Sequence, residues 1–194
     1  SLDTMAAEYP FPGRGDFRTP AIVLRYGDGT TVSDFRFVDG RVEPGKPGIE
    51  GLPATYAEIP DDAESLVVTL RDDGPDAGDG SIAVEIELLY TIFPAYDVIV
   101  RSARIANRGT AAIDVLAVAS VSIDFPIGCY DAVTLPGAWA RERHARRQPV
   151  GPGQILIESR RGASSHQANP FIAVLDADAG EEHGRVYAAN LVYS

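Results

Sequence analysis

IAVEIELLY, Ile82–Tyr90, decides the fold. Ile82, Val84, Ile86, Leu88 and Tyr90 occupy alternate positions, with Ala83, Glu85 and Glu87 between them. That is the two-residue period of a strand with one apolar face, not the 3.6-residue period of a helix. The glutamates make the opposite face wet at this end of the strand. Leu89 breaks the alternation and predicts that both faces are covered further along.

The same period recurs on either side. Leu66, Val68 and Leu70 alternate with Val67, Thr69 and Arg71. Ile22–Tyr26 and Thr31–Val38 flank Gly27-Asp28-Gly29, an Asp-Gly turn signal that predicts a hairpin. Tyr96–Ile105 and Ala112–Phe125 flank Asn107-Arg108-Gly109-Thr110 and predict a second, longer one. Gln154–Ser159, Phe171–Leu175 and Arg185–Tyr193 complete the set. The 19 Gly and 14 Pro, spread along the chain, break most windows in which a helix would otherwise fit. The expected fold class is all-β: an antiparallel two-sheet sandwich, a single domain over residues 1–194, with no linker and no internal repeat.

Bulk properties exclude several function classes. A net charge of −11 repels a polyphosphate backbone and argues against a nucleic-acid partner. The basic residues that exist are unevenly placed: Arg141, Arg143, Arg146 and Arg147 cluster, followed by Arg160 and Arg161. Such a face suits docking on an acidic surface. Cys129 is the only cysteine, so no intrachain disulfide forms. With no signal-like start, this predicts a reducing, cytoplasmic location. No apolar run approaches the roughly 20 residues that a membrane-spanning helix needs, and no membrane partner is expected.

Catalytic constellations fare poorly. Ser164, Ser165 and His166 invite a nucleophile reading, but no Gly-x-Ser-x-Gly elbow exists, and a hydrogen-bonded loop is expected instead. Glu85 and Glu87 lie about 7 Å apart on one strand face, tolerable for a glycosidase pair, yet they read as a solvated sheet face. The acidic loop Asp72–Gly80 places Ala77 and Ala83 where a calcium loop needs Gly and Glu. His144, His166 and His183 lack metal-ligand spacing, and Gly45-Lys46-Pro47-Gly48 lacks the spacing of a phosphate loop. No cofactor and no metal are expected.

Four blocks remain: GDFRTPA at Gly15–Ala21, EGLPATY at Glu50–Tyr56, GAWARERH at Gly137–His144 and SRRGASSHQANPF at Ser159–Phe171. The last is long and polar for a connection between strands, which predicts a loop of defined shape or one that meets a partner. The candidate contact residues are Trp139, Arg141, Arg143, His144, Arg160, Arg161, His166 and Asn169. Their alternatives stay open: contact with another domain or subunit, contact with sugar, or packing.

Taken in order, the four blocks resemble the N-terminal β-sandwich domain of glycoside hydrolase family 36, the family of microbial α-galactosidases. The resemblance implies a supersandwich of the galactose-mutarotase-like type, here incomplete at both ends. It implies a parent enzyme that hydrolyses terminal α-linked galactose from oligosaccharides such as raffinose or melibiose. That enzyme would be retaining, with an aspartate nucleophile and an aspartate acid/base in a barrel outside this chain. The family's Trp-Asp motif is missing, since Trp139 precedes Ala140. The chain would therefore be non-catalytic: a scaffold for the catalytic barrel of its own polypeptide and for a homo-oligomer. The rival reading is a free-standing carbohydrate-binding sandwich, which would expose several aromatics on one face.

Overall fold

A computed structural model describes residues 6–74 and 81–192. Ten strands follow one another: β1 Ile22–Arg25, β2 Arg36–Pro44, β3 Glu64–Asp72, β4 Val84–Phe93, β5 Val98–Asn107, β6 Asp114–Val118, β7 Tyr130–Pro136, β8 Arg146–Pro149, β9 Ala168–Asp176 and β10 Val186–Asn190. Every pairing between them is antiparallel. The chain groups into two compact units, Ser1–Pro47 with Tyr56–Asp124, and Gly48–Thr55 with Phe125–Ser194.

In the first unit, β2-β3-β4-β5 form a four-stranded meander and β1 pairs with β6 in a two-stranded ribbon. Val84, Ile86 and Leu88 of β4 are buried, as the alternation predicts. Ile22 and Leu24 of the ribbon pack onto them, together with Tyr9, Phe11, Tyr26 and Phe35, and this layering makes the sandwich. Phe11 and Phe35 meet edge to face with ring centroids 5.4 Å apart. Leu89 is buried on the other face of β4 with Val67 and Thr91, so that face is covered towards its far end, as expected.

Both predicted hairpins are overturned. The Asp-Gly turn forms, with Gly29 N–H donating to the Tyr26 carbonyl at 2.9 Å. The chain then leaves β1, because Ser33 and Phe35 enter the core. Tyr26 Oη donates to buried Asp72 at 2.6 Å, and that carboxylate also accepts from the Asp34 and Gly74 N–H groups. The second turn likewise forms, but Arg108 and Gly109 donate to the Ala83 carbonyl, and β6 goes to β1 instead of β5. Gln154–Ser159 joins no strand, whereas Arg146–Pro149, inside the arginine block, pairs with β7. The loop Asp72–Gly80 falls partly outside the described residues, as does the end of Arg185–Tyr193.

Glu85 and Glu87 are not a solvated pair. Glu87 takes Arg104 at 2.7 Å and Arg41 at 3.1 Å, while Glu85 takes Arg108 at 2.8 Å and Arg71 at 3.5 Å. These bridges tie four neighbouring strands together. Partial burial pushes the Glu87 carboxyl up, but the two guanidiniums outweigh it, leaving its pKa below the ordinary 4.5. Asp34 is held below 3.8 by Arg36 in the same way. Both pairings therefore contribute stability above the unfolded-state values and lose it as pH falls through the depressed folded values. Melting temperature is expected to drop as pH is lowered from about 5 towards 3, and Glu87→Gln to flatten that drop. A pH series of thermal melts checks it; identical slopes for both proteins would remove Glu87 as a source.

Among the described residues, no helix is long and apolar enough to cross a membrane.

Candidate functional site

In the second unit the strand order is β10-β9-β7-β8. The candidate residues gather where β7 ends and β9 begins. Beyond Pro136, Ala138 and Arg141 exchange backbone hydrogen bonds of 3.1 and 2.9 Å, leaving Trp139 and Ala140 at the tip of a tight turn. Ala140 and Arg143 sit at φ 58 and 56, a left-handed conformation costly for residues with a Cβ. Glu142 helps to hold it by accepting from the Ala140 N–H at 3.0 Å, and the His144 N–H closes the loop onto the Pro136 carbonyl at 2.9 Å.

The loop SRRGASSHQANPF is folded by its own side chains. Ser159 Oγ donates to the Ala163 carbonyl at 2.6 Å, and Gly162 supplies a left-handed turn. Ser165 Oγ accepts from the N–H groups of Gln167 and Ala168, both at 3.3 Å, the turn geometry in which serine substitutes for backbone. Ser165 thus shapes the loop, as the sequence implied.

The two loops meet at Gly137. A Cβ there would lie 2.6 Å from the His166 carbonyl and 2.8 Å from the Arg141 carbonyl, so only glycine allows the approach. Pro136 also stands opposite Ala168 in the β7–β9 register, which brings Asn169 alongside. Trp139, Arg141, Arg143, His144, His166 and Asn169 are thereby collected from two segments. Arg160 instead turns back on Glu158 at 3.0 Å. Arg147 is withdrawn by Asp131 at 2.6 Å and by the carbonyls of Ala177 and Ala179.

Twelve of the sixteen arginines pair with a carboxylate among the described residues. The four without such a partner are Arg141, Arg143, Arg146 and Arg161, all from the arginine-rich block and the loop that follows it. Trp139, in the same arginine-rich block, is 83% exposed. Indole surface of this size, on segments that also carry unpaired planar cations, suits an apolar contact joined by charge-assisted hydrogen bonds. Covering a tryptophan removes about 150–250 Å² from water, worth roughly 4–6 kcal/mol.

GDFRTPA lies in the first unit. The Arg18 guanidinium grips the Asp16 carboxylate at 2.6 Å, reaches the Ala7 carbonyl at 2.7 Å and also pairs with Asp124. The clamp holds Phe17 out, 102% exposed, a presentation that the sequence signalled only through the dense packing of Asp, Phe and Arg.

The fold defines an antiparallel β-sandwich domain in which Glu85 and Glu87 of β4 are neutralised by arginines, while loops leave Phe17 and Trp139 exposed. The chain matches the model of the glycosyl hydrolase family 36 N-terminal domain over residues 1–194 and belongs to that family. It is 46% identical to α-galactosidase AgaA of Geobacillus stearothermophilus across 100% of its own length and 26% of that protein. It is 39% identical to α-galactosidase Mel36A of Lactobacillus acidophilus, again across 100% of its own length and 26% of the relative. The crystal structure of AgaA superposes with a TM-score of 0.88 over 97% of this chain and 25% of that one. Variants of AgaA have been solved in complex with raffinose and with stachyose. This chain thus spans about a quarter of the length of these relatives.

Proposed function

We propose that the parent protein is an α-galactosidase that removes terminal α-linked galactose from oligosaccharides such as raffinose, and that this chain scaffolds it without performing chemistry. The 46% identity to AgaA over the whole chain carries that reading. Family 36 membership supports a retaining mechanism with an aspartate nucleophile and an aspartate acid/base in the barrel of the same polypeptide. We place the parent in a reducing, cytoplasmic setting, which suits the exposed thiol of Cys129.

Within the parent, the surface of Trp139, Arg141, Arg143 and His144, backed by His166 and Asn169, docks an acidic face of the barrel or of a neighbouring subunit. Arg161 lies on the adjoining loop, and Arg160 contributes through its pair with Glu158. Four guanidiniums that meet no carboxylate among the described residues, on the same segments as an exposed indole, support docking over packing, since packing would have neutralised or covered them. Arg141→Ala with Arg143→Ala in the full-length parent is expected to loosen assembly or lower melting temperature while the Michaelis constant stays within about twofold. Sedimentation and steady-state kinetics check this. An unchanged oligomer and melting temperature with a selectively raised Michaelis constant would assign the surface to sugar instead.

A further inference from the structure

β6 is one of the two strands of the ribbon in the first unit, and its other side meets no strand among the described residues. Its stretch Val115-Leu116-Ala117-Val118 carries no charge and no proline. Sheet edges are commonly protected by such residues, because a row of unpaired N–H and C=O groups otherwise recruits another strand. Asp114, the charge at the start of β6, is already taken by Arg25 of β1 at 2.7 Å. The register shift between Val23 and Leu24 bends this edge without charging it.

Burial changes abruptly across the ribbon. Ile22 stands opposite Val118 and Leu24 opposite Val115, so each pair shares a face. Ile22 and Leu24 are fully buried in the core, whereas Val118 and Val115 are 51% and 50% exposed. The covered apolar layer therefore stops between β1 and β6, although β6 continues its surface. Leu116 and Ile123 are exposed along the same run.

The backbone selects the kind of group that fits there. The Ala119 N–H donates to the Ala21 carbonyl at 2.7 Å, towards β1. Backbone groups of successive residues point to opposite sides of a strand, so the N–H and C=O of Val118 point to the free side. A donor and an acceptor on one extended residue, between half-covered apolar side chains, are the complement of another extended backbone.

We propose that β6 is completed in the parent by an extended segment of the same polypeptide from outside this chain. That segment pairs along the free side of β6 through Val118 and brings apolar side chains to the face of Val115 and Val118. This chain spans about a quarter of the length of its relatives, so most of a parent of their size lies outside it. A tethered strand meets β6 at a far higher effective concentration than a second copy does. It also extends an existing core, the cluster of Ile22, Leu24, Val84 and Ile86. The inference rests on the chain being part of a longer parent and not on what that parent hydrolyses.

Hydrogen exchange of the full-length parent, resolved to single amides by fragmentation mass spectrometry, tests it. The Val118 amide is expected to exchange at least about 10³-fold more slowly than an unpaired amide, as hydrogen-bonded core strands do. Exchange of Val118 at the rate of an open chain overturns the proposal. So does protection that disappears when the parent is diluted until its subunits separate, which would assign the free side of β6 to a second copy. No turnover is read, so a parent with a different activity would leave this result standing.

Discussion

The 194-residue chain on its own is expected to turn over no nitrophenyl α-galactoside, with a rate at least ~10⁶-fold below that of the parent. A glycosidase needs two carboxyl groups held across the scissile bond, one free to donate a proton and one free to attack or to activate water. The best-spaced carboxylates on a strand here are Glu85 and Glu87, and each is held by two arginines. A carboxylate so paired is a weak nucleophile, and Glu87, whose pKa is depressed, is a poor general acid near neutral pH. Reproducible turnover that a substitution within this chain abolishes would reverse the assignment of a non-catalytic role.

The largest structural loss is expected from Ile86→Ala. Ile86 is fully buried in the cluster that joins the ribbon to the meander, with Val84 and Leu88 beside it and Ile22 and Leu24 packed on the same core. Removing its outer carbons leaves a cavity that the surrounding strands cannot close, because their hydrogen-bonded register fixes the spacing. The cost is about 2–5 kcal/mol, a large share of the ~5–15 kcal/mol that holds a domain folded. In melting temperature that is roughly 5–15 °C for a chain of this length. Val42→Ala, on exposed β2, serves as the control and should stay within about 0.5 kcal/mol. Chemical denaturation of both variants checks the contrast, and equal losses at the two positions would mean that the core is not where burial puts it.

The strands of the meander were legible in the sequence, but not all of their pairings. In β3 and β4 the side chains alternate, so the two-residue period marked them as strands, but that β5 returns along β4 and not along the Ala112–Phe125 run was decided by the fold. The arginine block and the loop after it stood out in the sequence as the segments that carry the candidate contact residues, because Trp139 and four arginines crowd into so few positions. The partner of β1 was not legible. Its backbone groups can pair with any strand of suitable length, and β6 won because the ribbon buries Ile22 and Leu24 against β4. Nor was it visible that Arg147 and Arg160 would be neutralised by Asp131 and Glu158 while Arg141 and Arg143 would not.

By itself the sequence determined the all-β class, the antiparallel habit, the family and the segments that carry the candidate contact residues. Those follow from side-chain period, turn chemistry and motif order, all of which are local along the chain. The tertiary structure alone decided which strands pair across long separations, that Gly137 lets two distant loops touch, and which guanidiniums are left without a carboxylate. It also decided that Tyr130, Asp176, Asp178 and Arg185 line one cleft. Each of these depends on distances between residues far apart in sequence, and such distances are set by which apolar faces can be buried together.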